Sequence, residues 1–109
     1  MTLKMVDGGN WQSILESSNC ILVLSKSTCQ NCKEWEQSLS EAISDGFGEG
    51  FEFAKVLLDD TNLVKFKMEH TWINQIDIFP HTAIISQGKR VSFMSGKGIQ
   101  RLQKLIDKI

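Results

Sequence analysis

The sequence predicts an α/β fold, a mixed sheet of four to five strands with helices on both faces, in the order (β)αβαβαββα. Three observations lead there. The unbroken apolar run ILVL at residues 21–24 is too short for a buried helix and reads as a central strand; from Cys32 onward the apolar positions Cys32, Trp35, Leu39, Ala42 and Ile43 follow a helical period instead. A second strand-like run, residues 51–58, follows the loop marked by Gly46, Gly48 and Gly50, which makes a strand–helix–strand crossover. Residues 82–86 and 90–95 then flank Gln87-Gly88-Lys89 as a β-hairpin. A crossover followed by a hairpin and a closing helix requires a sheet of mixed direction.

Taken in order, residues 2–6 alternate weakly and predict a short edge strand. Gly8-Gly9 breaks it and Asn10 is placed to cap a short helix whose stripe is Trp11, Ile14 and Leu15 and whose end falls near Ser18. The central strand and its helix follow, the helix stopping at Gly46 after Asp45. Phe51 and Phe53 alternate at the start of the next strand. Asp60 or Thr61 is placed to cap a helix over 62–70, with Leu63, Phe66 and His70 on one face. In residues 71–78 no period wins, although Trp72, Ile73, Ile76 and Ile78 need partial burial. Pro80, the single proline, ends that stretch. Ile99, Leu102, Leu105, Ile106 and Ile109 form the apolar face of the last helix, with Lys104 and Lys108 toward its C-terminal end.

A chain of 109 residues, 41% of them hydrophobic, suits a single domain spanning 1–109 with a real core. A net charge of −1 with scattered lysines gives no reason to expect nucleic acid or an anionic membrane as partner. No apolar run approaches the ~20 residues that cross a bilayer. The first residues carry no apolar h-region, so a cytoplasmic location is expected; a monomer without a cofactor is the accompanying expectation. Three cysteines are too few for a disulfide framework.

Two of those cysteines carry the chemistry. Cys29-Gln30-Asn31-Cys32 lies where the central strand enters its helix. The first turn of a helix offers unpartnered N–H groups and the positive end of the macrodipole, which favour a thiolate, the form that attacks disulfides. The spacing leaves Cys29 at the helix mouth and Cys32 one turn in, so that the first attacks and the second resolves. A zinc site uses the same spacing and would need two more ligands among Cys20, His70 and His81. Cys20 starts the strand that Cys29 follows; at about 3.3 Å per residue they stand well over ~10 Å apart, and Cys20 reads as a small core hydrophobe.

With the hairpin in place, the chain resembles thioredoxins over nearly its full length. The likeness rests on ILV running into CxxC, Lys33 directly after the second cysteine, Phe79-Pro80 followed by Thr82 and an apolar strand, and the eight-residue steps from Pro80 to Gly88 and Gly88 to Gly96. An apparent insertion of about half a dozen residues separates Asp60 from Pro80. The resemblance implies a dithiol–disulfide oxidoreductase with Cys29 and Cys32 catalytic, a cis Phe79–Pro80 bond facing them, and substrate contacts at Thr28, Gln30, Asn31, Phe79, Pro80 and Gly96. Its partners would be disulfide-containing proteins, docked along the exposed edge of Pro80 and the Phe79 backbone, and a reductase or thiol electron donor.

The departures are specific. Thr28 stands where thioredoxins usually carry Trp, and Gln30-Asn31 where they carry Gly-Pro. Their buried Asp corresponds to Val23-Leu24, and no carboxylate lies between Cys20 and Cys29. A thiol in an apolar pocket without a base resists ionisation, so resolution by Cys32 is expected to be slow near neutral pH unless Lys26 turns inward. The stretch LSKSTCQNCK also echoes glutaredoxins, with Ser95-Gly96-Lys97-Gly98 approximating their glutathione-binding Gly-Gly, and an adaptor with idle thiols is a third reading. His81 is either near the thiols, where an imidazolium would favour thiolate, or a solvated strand-end side chain, the simpler reading. His70 is structural. Lys33, Glu34, Glu36, Gln37 and Ser40 are assigned to the solvated helix face, and Trp11, Trp35 and Trp72 to the core or its edge.

Overall fold

A computed structural model describes residues 3–16 and 19–109. In chain order the elements are β1 (Lys4–Met5), α1 (Trp11–Leu15), β2 (Asn19–Ser25), α2 (Gln30–Ser44), β3 (Glu52–Leu57), α3 (Val64–Glu69), β4 (His81–Ser86), β5 (Lys89–Ser95) and α4 (Ile99–Asp107). The stretch in which no period won forms a 3₁₀ turn, Thr71–Gln75. Thr2 and Ser18, at the ends of two predicted elements, lie outside the described residues.

The sheet has the order β1-β3-β2-β4-β5. β1, β3 and β2 run parallel, β4 runs antiparallel to β2, and β5 antiparallel to β4. β2 is therefore the middle strand, and every residue of it after Asn19 is buried, which is why its sequence is apolar on both faces. Alternation along it divides the core. Ile21 and Val23 pack with Trp35, Leu39 and Ile43 of α2 and Leu102 of α4. Cys20, Leu22 and Leu24 pack on the other face with α1 (Trp11, Ile14, Leu15), α3 (Phe66) and Ile73. Among the described residues no helix is long and apolar enough to cross a membrane.

Local chemistry at the helix starts differs from expectation. Asn10 does not cap α1 with its side chain. Its Oδ1 accepts the Asp7 N–H at 2.7 Å and its Nδ2 donates to the Met5 carbonyl at 2.9 Å, so it folds the loop back onto β1. Neither Asp60 nor Thr61 caps α3, which begins two residues later than predicted, after Leu63. Asp60 Oδ1 instead accepts the Asn62 N–H at 2.9 Å in a local turn, the competing use that short polar side chains have for such oxygens. The hairpin closes through Gln87 and Gly88, both at positive φ (53° and 80°), and Lys89 already belongs to β5.

Candidate functional site

β2 ends at Ser25, and three exposed residues carry the chain to Cys29, the N-cap of α2. Its backbone is extended (φ −91°, ψ 110°), and its Sγ accepts the Cys32 N–H at 3.1 Å, satisfying one of the orphan donors of the first turn. Cys29 and Cys32 are joined as a disulfide with Cα atoms 5.2 Å apart. Cys29 is half-buried and Cys32 fully buried. The connecting loop is held from β3's side: the Ser27 N–H and hydroxyl both donate to Asp59, just beyond β3. That hydroxyl, first among several contacts, holds the Asp59 carboxyl below its ordinary range.

The second half of the site comes from the hairpin. His81 lies opposite Leu24 in the β2–β4 register, which puts Phe79 and Pro80 at the end of the sheet where β2 delivers the dithiol. The Phe79–Pro80 bond is cis, and the Pro80 carbonyl accepts the Gly96 N–H at 2.8 Å. Gly96 has φ 84°, a conformation costly for a side chain with Cβ. The next residue, Lys97, pairs with Glu34 of α2 at 2.7 Å and so ties this segment to the cysteine helix. Trp35 Nε1 donates to Thr82 Oγ1 at 2.9 Å inside the core, a second tie between α2 and β4. Thr28, Gln30 and Asn31 are exposed, Phe79 and Gly96 are half-buried, and Pro80 is buried, not the exposed edge expected. Lys26 stays in solvent, its ammonium 4.9 Å from the Phe79 ring centroid; it does not turn inward.

No known protein-family profile matches this sequence, and no curated protein matches it either. Structural similarity is strong. Thioredoxin f2 of Chlamydomonas reinhardtii matches with a TM-score of 0.77 at 19% identity, over 97% of this chain and 94% of its own. A Plasmodium falciparum thioredoxin matches at 0.74 and 23% identity, over 97% and 98%. Thioredoxin O2 of Arabidopsis thaliana, in its oxidised state, matches at 0.73 and 14% identity, over 99% and 94%. This chain has the thioredoxin fold.

Within this thioredoxin fold, two candidates from the sequence stand apart from the dithiol. Cys20 is a free, fully buried thiol on the α1/α3 face of the sheet. Burial pushes it up to about 12, so it stays protonated. Cys20→Ala is expected to leave thiol–disulfide exchange unchanged and to cost about 1 kcal/mol through lost packing, read by activity and denaturant midpoint together.

His81 is neither beside the thiols nor solvated. It is buried on the face away from α2, stacked on Phe93 (centroids 5.2 Å apart) and close to Trp72 (5.9 Å). Arg90 packs over the Trp72 ring at 4.4 Å and the Phe93 ring at 4.1 Å, and its Nη1 lies 3.3 Å from His81 Nε2. Burial first, and the Arg90 charge second, lower the imidazole to about 4. The unfolded chain takes up a proton near pH 6.5 while the folded one does not, so stability present above 6.5 is lost as pH falls toward 4. The loss should amount to about 2–3 kcal/mol. Comparing urea midpoints at pH 7.5 and 4.5, His81→Phe should remove that share of the acid sensitivity.

Sequence reasoning missed Glu36. Assigned to the solvated face of α2, it is in fact turned toward the sheet, with its side chain only 15% exposed and paired with Lys55 of β3 at 2.6 Å. The legible signal was its place one helical turn after Cys32, on the flank of the apolar stripe.

Proposed function

We propose that this chain is a thiol–disulfide oxidoreductase whose Cys29–Cys32 dithiol reduces or exchanges disulfides in protein substrates. The observation that carries this reading is the asymmetric pair itself: a half-buried cysteine at the cap of α2 and a fully buried partner one turn in, close enough to bond. In the reduced form the Cys29 thiolate, favoured by the N–H groups of the first turn, attacks one sulfur of the substrate disulfide and expels the other as thiolate. Cys32 then attacks Cys29 Sγ, releasing the second substrate sulfur and closing the Cys29–Cys32 bond. Two electrons pass to the substrate, and a reductase or thiol donor must return them.

Thr28, Gln30 and Asn31, next to Cys29 in the chain, are exposed, and among the described residues the Phe79 backbone groups have no backbone hydrogen-bond partner. An extended substrate segment pairing there would bring its disulfide to Cys29. Alkylation of the reduced protein across pH tests the division of labour: Cys29 should react first, with a midpoint below the ~8.5 of a free thiol. Equal labelling of Cys29 and Cys32 would contradict it. The equilibrium potential of the pair then gives the direction of flux, near roughly −270 mV for a reductant and roughly −120 mV for an oxidant.

A further inference from the structure

We propose that Glu36 is the proton acceptor for Cys32 in the resolving step, held in place by Ser25 and Lys55; the proposal rests on the oxidoreductase reading above. Cys32 is fully buried and must lose its proton before it can attack the mixed disulfide. β2 offers it no carboxylate, since Val23 and Leu24 occupy the strand beneath it. α2 does. Glu36 is four residues after Cys32, a spacing that brings side chains on one helix face within about 5–6 Å at Cβ.

Its carboxylate is anchored inward rather than left in solvent. Oε1 accepts from Lys55 Nζ at 2.6 Å, and Oε2 accepts from Ser25 Oγ at 3.3 Å. Ser25 is fully buried at the end of β2, and Lys55 lies opposite Val23 in the β2–β3 register. Both anchors therefore belong to the sheet surface on which the first turns of α2 rest. A half-buried carboxylate costs desolvation energy, and the Lys55 ammonium offsets it. Beside the pair is a cleft of about 370 Å³ lined by Leu3, Lys33, Glu36, Gln37, Ser40 and Lys55. It gives water a route to the carboxylate, so a proton taken from Cys32 can pass on to solvent. The charged groups facing it are Lys33 from α2 itself and Lys55 from β3, while β2 contributes the Ser25 hydroxyl and the chain before β1 contributes Leu3.

The step balances. The Cys32 proton goes to the Glu36 carboxylate, the Cys32 thiolate bonds to Cys29 Sγ, the Cys29–substrate S–S bond breaks, and the substrate sulfur leaves with the electron pair. This arrangement removes the reason to expect slow resolution from the sequence alone.

The test uses the reduced full chain and 5,5′-dithiobis(2-nitrobenzoate) in stopped flow. One chromophore is released when Cys29 forms the mixed disulfide and a second when Cys32 resolves it. Glu36→Gln should slow the second phase about 10²-fold near pH 6.5 and leave the first unchanged. The gap should close toward pH 9 as hydroxide takes over, and Glu36→Asp should recover part of the rate. Ser25→Ala, which frees the carboxylate from its strand anchor, supplies a second variant should Glu36→Gln not fold; it should slow the second phase severalfold. A second phase with the wild-type rate and pH profile in either variant would overturn the proposal, as would equal slowing of both phases. If the wild-type chain releases only the first chromophore, or none, the oxidoreductase reading itself fails.

Discussion

Cys29→Ser is expected to bring reduction of a protein disulfide down to the uncatalysed rate, a loss on the order of 10³-fold or more, as when other nucleophiles are removed. The hydroxyl keeps the cap geometry but is not a thiolate at neutral pH, so no mixed disulfide forms. Cys32→Ser should behave differently. The first attack depends on the sulfur at the helix cap and should persist, while release stops because the buried partner cannot resolve. Mass spectrometry should find the substrate covalently attached to Cys29 in the Cys32→Ser protein and absent from Cys29→Ser. Turnover surviving in Cys29→Ser would move the nucleophile to another residue.

The largest stability effect is expected at Trp35. Its ring is 1% exposed, packed where α2 meets β2 and β4, and its indole N–H is satisfied by Thr82. Trp35→Ala should cost about 3–5 kcal/mol, through lost transfer energy and the cavity left behind. That is a large fraction of the 5–15 kcal/mol typical of a domain, and the melting temperature should fall by roughly 4–8 °C for each kcal/mol lost. Trp35→Phe separates the contributions: most of the packing remains and the Thr82 hydroxyl loses its donor, a net cost of about 1–2 kcal/mol. The tie also joins the cysteine helix to the strand that follows Pro80, so the loss should be felt at the site before global unfolding.

The parts of the fold legible in the sequence are those in which one physical requirement dominates. Residues 21–24 are apolar without alternation because β2 is covered on both faces, and the stripe from Cys32 to Ile43 is helical because α2 covers one of them. The two thiols are legible for the same reason: the change of period falls between them. Asn10 and Asp60 misled because a short polar side chain next to a helix can equally serve a turn, and only the path of the neighbouring backbone decides between the two. His81 was hidden because its burial depends on Trp72, Arg90 and Phe93, which reach it from the 3₁₀ turn and from β5. Glu36 was hidden because a residue at the border of an amphipathic stripe turns inward only if the sheet offers partners, and Ser25 and Lys55 come from two different strands.

On the proposed reading, the Cys29–Cys32 pair exchanges as a dithiol with disulfides of other proteins. This exchange is tested most directly by mixing the fully reduced chain, without any other thiol, with a protein containing one accessible disulfide, then quenching with alkylating agent and weighing both products. The expected result is one substrate disulfide opened for each chain oxidised, with Cys29 and Cys32 joined and Cys20 remaining a thiol. Recovery of a chain still alkylated at both Cys29 and Cys32 beside an intact substrate would contradict it.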